Sequence, residues 1–414
     1  MNTFPHLPTA FYDRSDAFRR IRRAAFARQV SPDAVLAVTL CRVAAALPPG
    51  IVLPDGGTLD FVAALVGAPG SGKSKAMKAA TELLPDIGTK YDGFPPGSGE
   101  GIAAAYVGKV DDSGVNPIQN TSALFYADEG ETLLTVGRRD GSTTFPTIRS
   151  AWSGQTFGSM NASTDRRRVV KAGTYRFALA VGFQASFAAE LLSGQHAGDP
   201  QRYLFAGVTH PDIPPVPPPF PEPLSLSLTG SSSRLVVDVA AEVRAVLCER
   251  RHRIATGVEI PDPLDTHGDL LTLKVAALIA YLDSDGDLSV TVALWNDART
   301  VVDNGREVRT HLLAVSKAEG VERLRESAER DSQRDAMREE HKSKRARVSC
   351  AKSMIRRARR EGKPVTRAIL TQAVAGNYRN LVEVDDVIDY ACYVGTDDGR
   401  LKRDGDYFVF VPAA

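Results

Sequence analysis

With 414 residues, 43% of them hydrophobic, the chain exceeds one ordinary core and is expected to form two or three globular domains. Lys and Arg number 51 against 50 Asp and Glu, so affinity for nucleic acid has to come from local clusters and not from bulk charge. The four cysteines, Cys41, Cys248, Cys350 and Cys392, form no C-x-x-C pair; this spacing argues against a zinc site and for a reducing compartment. No stretch is apolar over a membrane-spanning length, and the first residues lack the layout of a signal peptide. A cytoplasmic protein without membrane contact is therefore expected.

In chain order, two helices come first. Phe18, Ile21 and Ala25 share one face of the first, while Arg19, Arg20, Arg22, Arg23 and Arg28 occupy much of the rest and read as a solvated face or a DNA contact. Ser31-Pro32 then caps a mostly apolar helix that Pro48-Pro49-Gly50 ends.

Next, the apolar run Phe61 to Val66 reads as a buried strand, followed by Gly67-Ala68-Pro69-Gly70-Ser71-Gly72-Lys73-Ser74. This octet fits G-x-x-x-x-G-K-[ST], the phosphate-binding P-loop. Its glycines let backbone NH groups cradle phosphate oxygens, Lys73 reaches the β- and γ-phosphates, and Ser74 ligates Mg²⁺. ATP and Mg²⁺ are the expected cofactors. A helix from Lys73 to Leu84, stopped by Pro85, adds the positive end of its dipole. The loop Gly97-Ser98-Gly99-Glu100-Gly101 is either a connector or part of the site, with Glu100 as a second-rank catalytic residue.

The strand Ala123 to Ala127 runs into Asp128-Glu129, the pattern of a Walker B element. Asp128 would hold Mg²⁺ and Glu129 would polarise the attacking water. A third strand, Tyr175 to Val181, leads to Gln184, which stands where a γ-phosphate sensor would, or is an ordinary polar strand end. Arg166, Arg167, Arg168 and Arg202 form the pool for an arginine that reaches a neighbouring subunit's γ-phosphate.

From Pro211 a proline-rich strap marks the end of the core, and helices over Leu235 to Arg250, Asp269 to Leu282 and Val290 to Arg309 follow. Val321 to His341 reads as a polar linker helix. Between Lys342 and Arg367 eleven Lys or Arg residues face a single acid, Glu361. Two further short helices near Ile369 and Val384 precede a hairpin, Leu401 to Val411, with a type I′ turn at Asp404-Gly405. Helix, helix, helix, hairpin is the order of a winged helix, which binds DNA or docks a protein. Lys352, Arg356, Arg359, Arg360, Lys402 and Arg403 are its DNA-contact residues, with Met354, Ile355 and Ala358 turned inward. Asp385, Asp386 and Asp389 suit a phosphate-lined groove poorly, so weak sequence preference is expected.

The fold class expected is α/β, a P-loop NTPase core of RecA-like or AAA+-like type. Its divisions are an N-terminal helical segment (1–57), the ATPase core (58–212), the strap and helical region (213–345) and a basic winged-helix-like domain (346–414). Ala44-Ala45-Ala46-Leu47-Pro48-Pro49, the P-loop, Gly97 to Gly101, Ala127-Asp128-Glu129 and Arg202-Tyr203-Leu204 together resemble ATPases of bacterial plasmids, integrative elements and phages associated with primase-helicase modules. The resemblance implies ATP, Mg²⁺, a homo-oligomer such as a hexameric ring, and helicase or initiator activity on single-stranded or duplex DNA. No primase domain is recognisable, so priming would belong to a separate protein. The first reading is an ATP-driven DNA motor or replication initiator of a mobile element. The second is an ATP-switched DNA-binding regulator or helicase loader that does not translocate. A small-molecule kinase would leave the Asp-Glu pair and the basic segment without a task.

Overall fold

The computed structural model describes residues 4–161, 163–193, 198–226, 234–283, 287–374, 376–378 and 380–413. Two compact units, Met1–Ala318 and Glu319–Ala414, divide the chain.

The first unit begins with α1 (Asp16–Ala27) and α2 (Pro32–Ala46), capped by the hydroxyls of Ser15 and Ser31. α1 buries Phe18, Ile21 and Ala25, as its apolar spacing requires, whereas α2 is buried almost throughout. After β1 (Ile51–Val52) come β2 (Phe61–Val66), α3 (Lys73–Leu83), β3 (Asp92–Phe94), α4 (Gly99–Ala104), β4 (Ser122–Ala127), α5 (Gly130–Gly137) and α6 (Thr144–Trp152). Then follow β5 (Phe157–Ser159), β6 (Arg168–Val170), β7 (Arg176–Phe183), α7 (Ala185–Ser193), β8 (Tyr203–Gly207), β9 (Leu235–Val236), α8 (Ala241–Ala255), α9 (Gly268–Asp283) and α10 (Val292–Glu361). The fold is mixed α/β around a five-stranded sheet, ordered β3-β4-β7-β2-β8, with every pair parallel. β2 and β7 are buried along their whole length, as expected of central strands in a sheet covered on both faces.

Two buried cations tie the helices to this sheet. Arg42 of α2 donates to both carboxylate oxygens of Asp92 (2.7 and 2.8 Å), to Leu84 O (2.7 Å) and to Tyr126 Oη (3.2 Å), joining the end of α3 to β3 and β4. Lys274 of α9 donates to Asp60 O (2.8 Å) and Trp152 O (2.6 Å), and its ammonium lies 3.7 Å from the Trp152 ring centroid. A charge taken from water needs such partners.

The arginine face of α1 is not simply solvated. Arg20 and Arg23 donate to Pro223 O (3.3 Å) and Pro219 O (3.0 Å), and the Arg28 guanidinium stands 4.8 Å from the Phe220 ring centroid. The proline-rich strap thus folds back along α1, its backbone carbonyls accepting from the arginines. The expected helix from Leu235 is also shorter: Leu235 and Val236 pair in parallel with Ile51 and Val52, and the helix starts at Ala241.

One helix, α10, replaces the three separate segments read from sequence between Val290 and Arg367. Its 70 residues contain no proline, and i,i+4 ion pairs such as Glu326 with Arg330 (2.9 Å) support its exposed middle. Gly305 costs about 1 kcal/mol against alanine in a helix interior and serves packing, because a Cβ there would stand 3.1 Å from Phe205 O.

The second unit combines the C-terminal part of α10 with β10 (Val365–Thr366), α11 (Arg367–Gln372), α12 (Val384–Tyr393), β11 (Arg400–Asp404) and β12 (Tyr407–Val411). Met354, Ile355 and Ala358 of α10 pack with Leu370, Val387, Ile388, Leu401 and Phe408 in a core of its own. The sheet is antiparallel in the order β10-β12-β11, adding a strand that the sequence reading did not contain. Asp404 pairs with Tyr407, so Gly405 and Asp406 form the turn. Only Gly405 has positive φ (59°), which fits a type II′ turn and corrects the expected type I′.

Candidate functional site

At the C-terminal edge of the parallel sheet, register brings together residues distant in sequence. Val66 pairs with Phe183 and Ala127 with Val181, so the segments that leave β2, β4 and β7 meet. Gly67 N donates to Phe183 O (3.1 Å) as the chain leaves β2. A Cβ on Gly67 would lie 2.2 Å from Val208 Cγ2 and 2.4 Å from Ser71 Oγ, so only glycine fits.

Beyond it Ala68, Pro69 and Gly70 are exposed, and Gly70 and Gly72 adopt positive φ (73° and 106°). Ser71 Oγ donates to Ala68 O (2.7 Å), and Gly72 caps α3 directly ahead of Lys73 and the exposed Ser74. Lys73 folds back over the loop, its Nζ donating to Gly67 O (3.0 Å) and Ala68 O (2.9 Å). Partial burial lowers its pKa from the ordinary lysine value.

Asp128 and Glu129 follow β4, both exposed, and Glu129 stands at the N-cap of α5. Gly182, near the end of β7, fits between them and the lysine: a Cβ there would lie 2.7 Å from Asp128 O and 3.4 Å from Lys73 Cδ. Gly130 is equally constrained, with the Phe183 ring 2.3 Å from where its Cβ would be. Gln184 is half-buried at the same edge, immediately before α7. Lys73, Asp128 and Gln184 thus share one end of the sheet, with Glu129 next to them along the chain.

No hydrogen bond or ion pair among the described residues joins the other predicted residues to the loop. Glu100 lies in the first turn of α4, capped by Ser98, and accepts from Thr143 Oγ1 (2.9 Å). Its own backbone NH, opposed by burial and helped by the Thr143 and Ser98 hydroxyls, holds its carboxyl below the usual range. Arg166 is exposed between β5 and β6 and makes no ion pair among the described residues. Arg167 donates to Asn161 O (3.3 Å) and Arg168 to Asp165 O (3.0 Å). Arg202 precedes β8 at the opposite edge of the sheet, where Tyr203 pairs with Val62. Its guanidinium stands 5.4 Å from the Trp152 ring centroid and donates to Gly198 O, and burial lowers its pKa.

In the second unit Lys352 pairs with Asp397 (3.3 Å) and Arg356 with Asp398 (2.9 Å). Arg359 and Arg403 lie 5.8 Å from the ring centroids of Phe410 and Phe408 respectively. Arg360 and Lys402 are exposed and without ion pairs among the described residues. Sequence reasoning missed Asp397 and Asp398 as the partners of Lys352 and Arg356, and also Gly182 and Arg42. Its two available signals were a glycine near the end of the apolar run that became β7 and an arginine inside an apolar helix.

Among the described residues no group of three or more His, Cys, Asp or Glu side chains could hold a metal ion by itself. No described helix is long and apolar enough to cross a membrane.

No family model and no curated protein matches the chain. Solved structures include similar chains. One is described as "SCCmec type IV Cch - active helicase", at 11% identity over 91% of this chain and 67% of that one, with a TM-score of 0.23. A likeness of this size carries no argument for the fold or the activity.

Proposed function

We propose that the chain is an ATP-dependent DNA motor or replication initiator, a helicase-like ATPase that works as a homo-oligomer. The observation that carries this reading is the meeting of Lys73, Asp128 and Gly182 at one sheet edge, where the insertion of β7 between β2 and β4 aligns the glycine-rich loop with the Asp-Glu pair. That insertion is the strand order of an additional-strand P-loop ATPase.

The residues present fit a nucleotide. Among the described residues Lys73 Nζ has two backbone carbonyls as partners, both in the loop, and it is already partly desolvated, so an anion beside it gains a cation that water screens less. Gly67 to Ser74 would hold the phosphates of ATP, while Ser74 and Asp128 would hold Mg²⁺. Bound ATP and Mg²⁺ supply the transferable phosphoryl group and the charge that makes it electrophilic. Glu129, exposed beside Asp128, would orient and deprotonate the attacking water, and Gln184, half-buried at the same edge, would offer its amide hydrogen to the γ-phosphate. Arg166, exposed and without an ion pair among the described residues, is the member of the arginine pool assigned to a neighbouring subunit's γ-phosphate.

The second unit supports a winged helix, with α10, α11 and α12 followed by the β11–β12 hairpin. Arg359, Arg360, Lys402 and Arg403 are the contacts offered to DNA phosphates. One observation favours the second reading, an ATP-switched regulator or loader: Lys352 and Arg356 already carry carboxylate partners, which weakens the hold a motor needs. ATP hydrolysis measured with and without single-stranded DNA separates the two. A motor accelerates on DNA and displaces an annealed strand; unchanged or absent turnover with ATP still bound and no displacement leaves the regulator, and absence of both ATP binding and turnover removes both.

A further inference from the structure

The inference concerns a cavity of about 470 Å³ between α8, α9 and the turn after β1, away from the glycine-rich loop in sequence and in the elements that form it. α8 buries only Val243 along its length. On one side of it Leu247 and Ile254, two turns apart, line the cavity; Leu270 and Leu273 of α9 line it as well. Ligand pockets typically enclose about 300–1,000 Å³ with apolar walls and a few convergent polar groups, and this cavity has that size and lining.

Its charges are unequal in their pairing. Asp55 lines the cavity and is bridged to Arg251 (3.3 Å), and Asp269 is bridged to Arg250 (2.5 Å). Arg244 also lines the cavity and has no counter-ion among the described residues. His267, on the inner wall, stands with its ring 5.4 Å from that of Trp152 and is kept neutral, its pKa pushed down to about 4 by burial and then by Arg202 and Lys274. The cavity therefore presents an apolar body and one uncompensated cation.

We propose that this cavity binds an amphipathic organic monoanion, its apolar part against Leu247, Ile254, Leu270 and Leu273 and its carboxylate or sulfonate on Arg244. The shape follows from the chemistry: the four aliphatic side chains gain from displacing water over an apolar surface, and the guanidinium gives one charge-assisted hydrogen-bonding end. α9 also carries Lys274, bonded to Asp60 at the start of β2 and to Trp152 at the end of α6. An occupant that joins α8 to α9 thus stabilises the sheet edge opposite the glycine-rich loop. The inference does not depend on the chain being an ATPase.

Cys248 provides the readout, because it lines the cavity and is the exposed one of the four cysteines, Cys41 and Cys350 being buried and Cys392 half-buried. The full-length chain is alkylated with a maleimide across a series of decanoate concentrations below its micelle threshold, with decyltrimethylammonium as the cationic control. Decanoate should slow modification of Cys248 saturably, by about tenfold at ten times its Kd, while the cation gives no protection. Arg244→Glu should weaken decanoate at least about tenfold, and Cys248→Trp, which fills the cavity from an exposed position, should abolish the thermal stabilisation by decanoate. Circular dichroism establishes that both variants fold. Equal protection by the two detergents, or undiminished decanoate binding in both variants, overturns the proposal. Protection that grows with protein concentration in the absence of decanoate also overturns it and assigns the cavity to a second copy of the chain.

Discussion

The carbonyl oxygen of Asp128 and the Cα of Gly182 are packed so closely that a Cβ on Gly182 would stand 2.7 Å from that oxygen, and 3.4 Å from Lys73 Cδ on its other side. Neither neighbour can give way freely: one is backbone, the other the shaft of a lysine tied to the loop by two hydrogen bonds. Gly182→Ala should therefore displace the Asp128 backbone, with Lys73 Cδ already at ordinary contact distance, and reduce ATP turnover by about 10²-fold, the cost of a displacement near 1 Å at a reacting centre. Steady-state hydrolysis together with a thermal melt checks this. A variant that melts normally and turns over at the parental rate would mean that the contact does not align the site.

Glu129→Gln should bind nucleotide but lose about 10²–10⁴-fold in hydrolysis, since the amide keeps the shape and lacks the base. Glu100→Gln should cost far less, because its carboxylate is engaged with Thr143 and the first turn of α4. Single-turnover measurements on both variants decide the matter. The reverse ranking would transfer the catalytic role to Glu100.

Arg359 and Arg360 are exposed on α10, whereas Lys352 and Arg356 already pair with Asp397 and Asp398. If DNA is held through phosphates, each contact contributes about −0.9 to the slope of log affinity against log salt on duplex DNA. Changing Arg359 and Arg360 to Ala should make the slope shallower by about one unit per contact, and Lys352→Ala should change it less. A slope the same in all three proteins would place the DNA contacts elsewhere.

Lys274 is fully buried, and its pKa is pushed down to about 7 by burial, opposed by Asp60 and reinforced by Arg176 and Arg202. The folded pKa is below the unfolded one, so between about 7 and the ordinary lysine value the unfolded chain binds more protons and stability rises with pH. The destabilising contribution is present in full below pH 7 and disappears above the unfolded pKa. Lys274→Met removes this term, so the melting temperature of the variant minus that of the parent should fall by several degrees as pH rises from 6.5 to 9.5, on the scale that about 1–2 kcal/mol produces in a domain of this size. A difference that stays level across that range would show that Lys274 keeps one protonation state there.

The parts that the chain's own sequence determined are those set by local geometry. Phe61 to Val66 is apolar on both sides of its pleat and becomes a strand buried on both faces. Gly70 and Gly72 take the positive φ that a tight loop requires, and Ser15, Ser31 and Ser98 cap helices because a hydroxyl beside a free NH needs no distant partner. The period of Met354, Ile355 and Ala358 likewise marks a buried helical face whatever it packs against.

What only the tertiary structure decided are the pairings between groups remote in sequence. The parallel placement of β7 between β2 and β4 sets Gly182 against Asp128 and Lys73; strand order leaves no trace in the residues of any one strand, since all three central strands are simply apolar. The same holds for charges. Asp397 and Asp398 neutralise Lys352 and Arg356, and the strap's carbonyls take Arg20 and Arg23, because a long flexible cation pairs with whatever acceptor the fold brings within reach. Sequence spacing describes a helix face; the residue across from it is supplied by the fold.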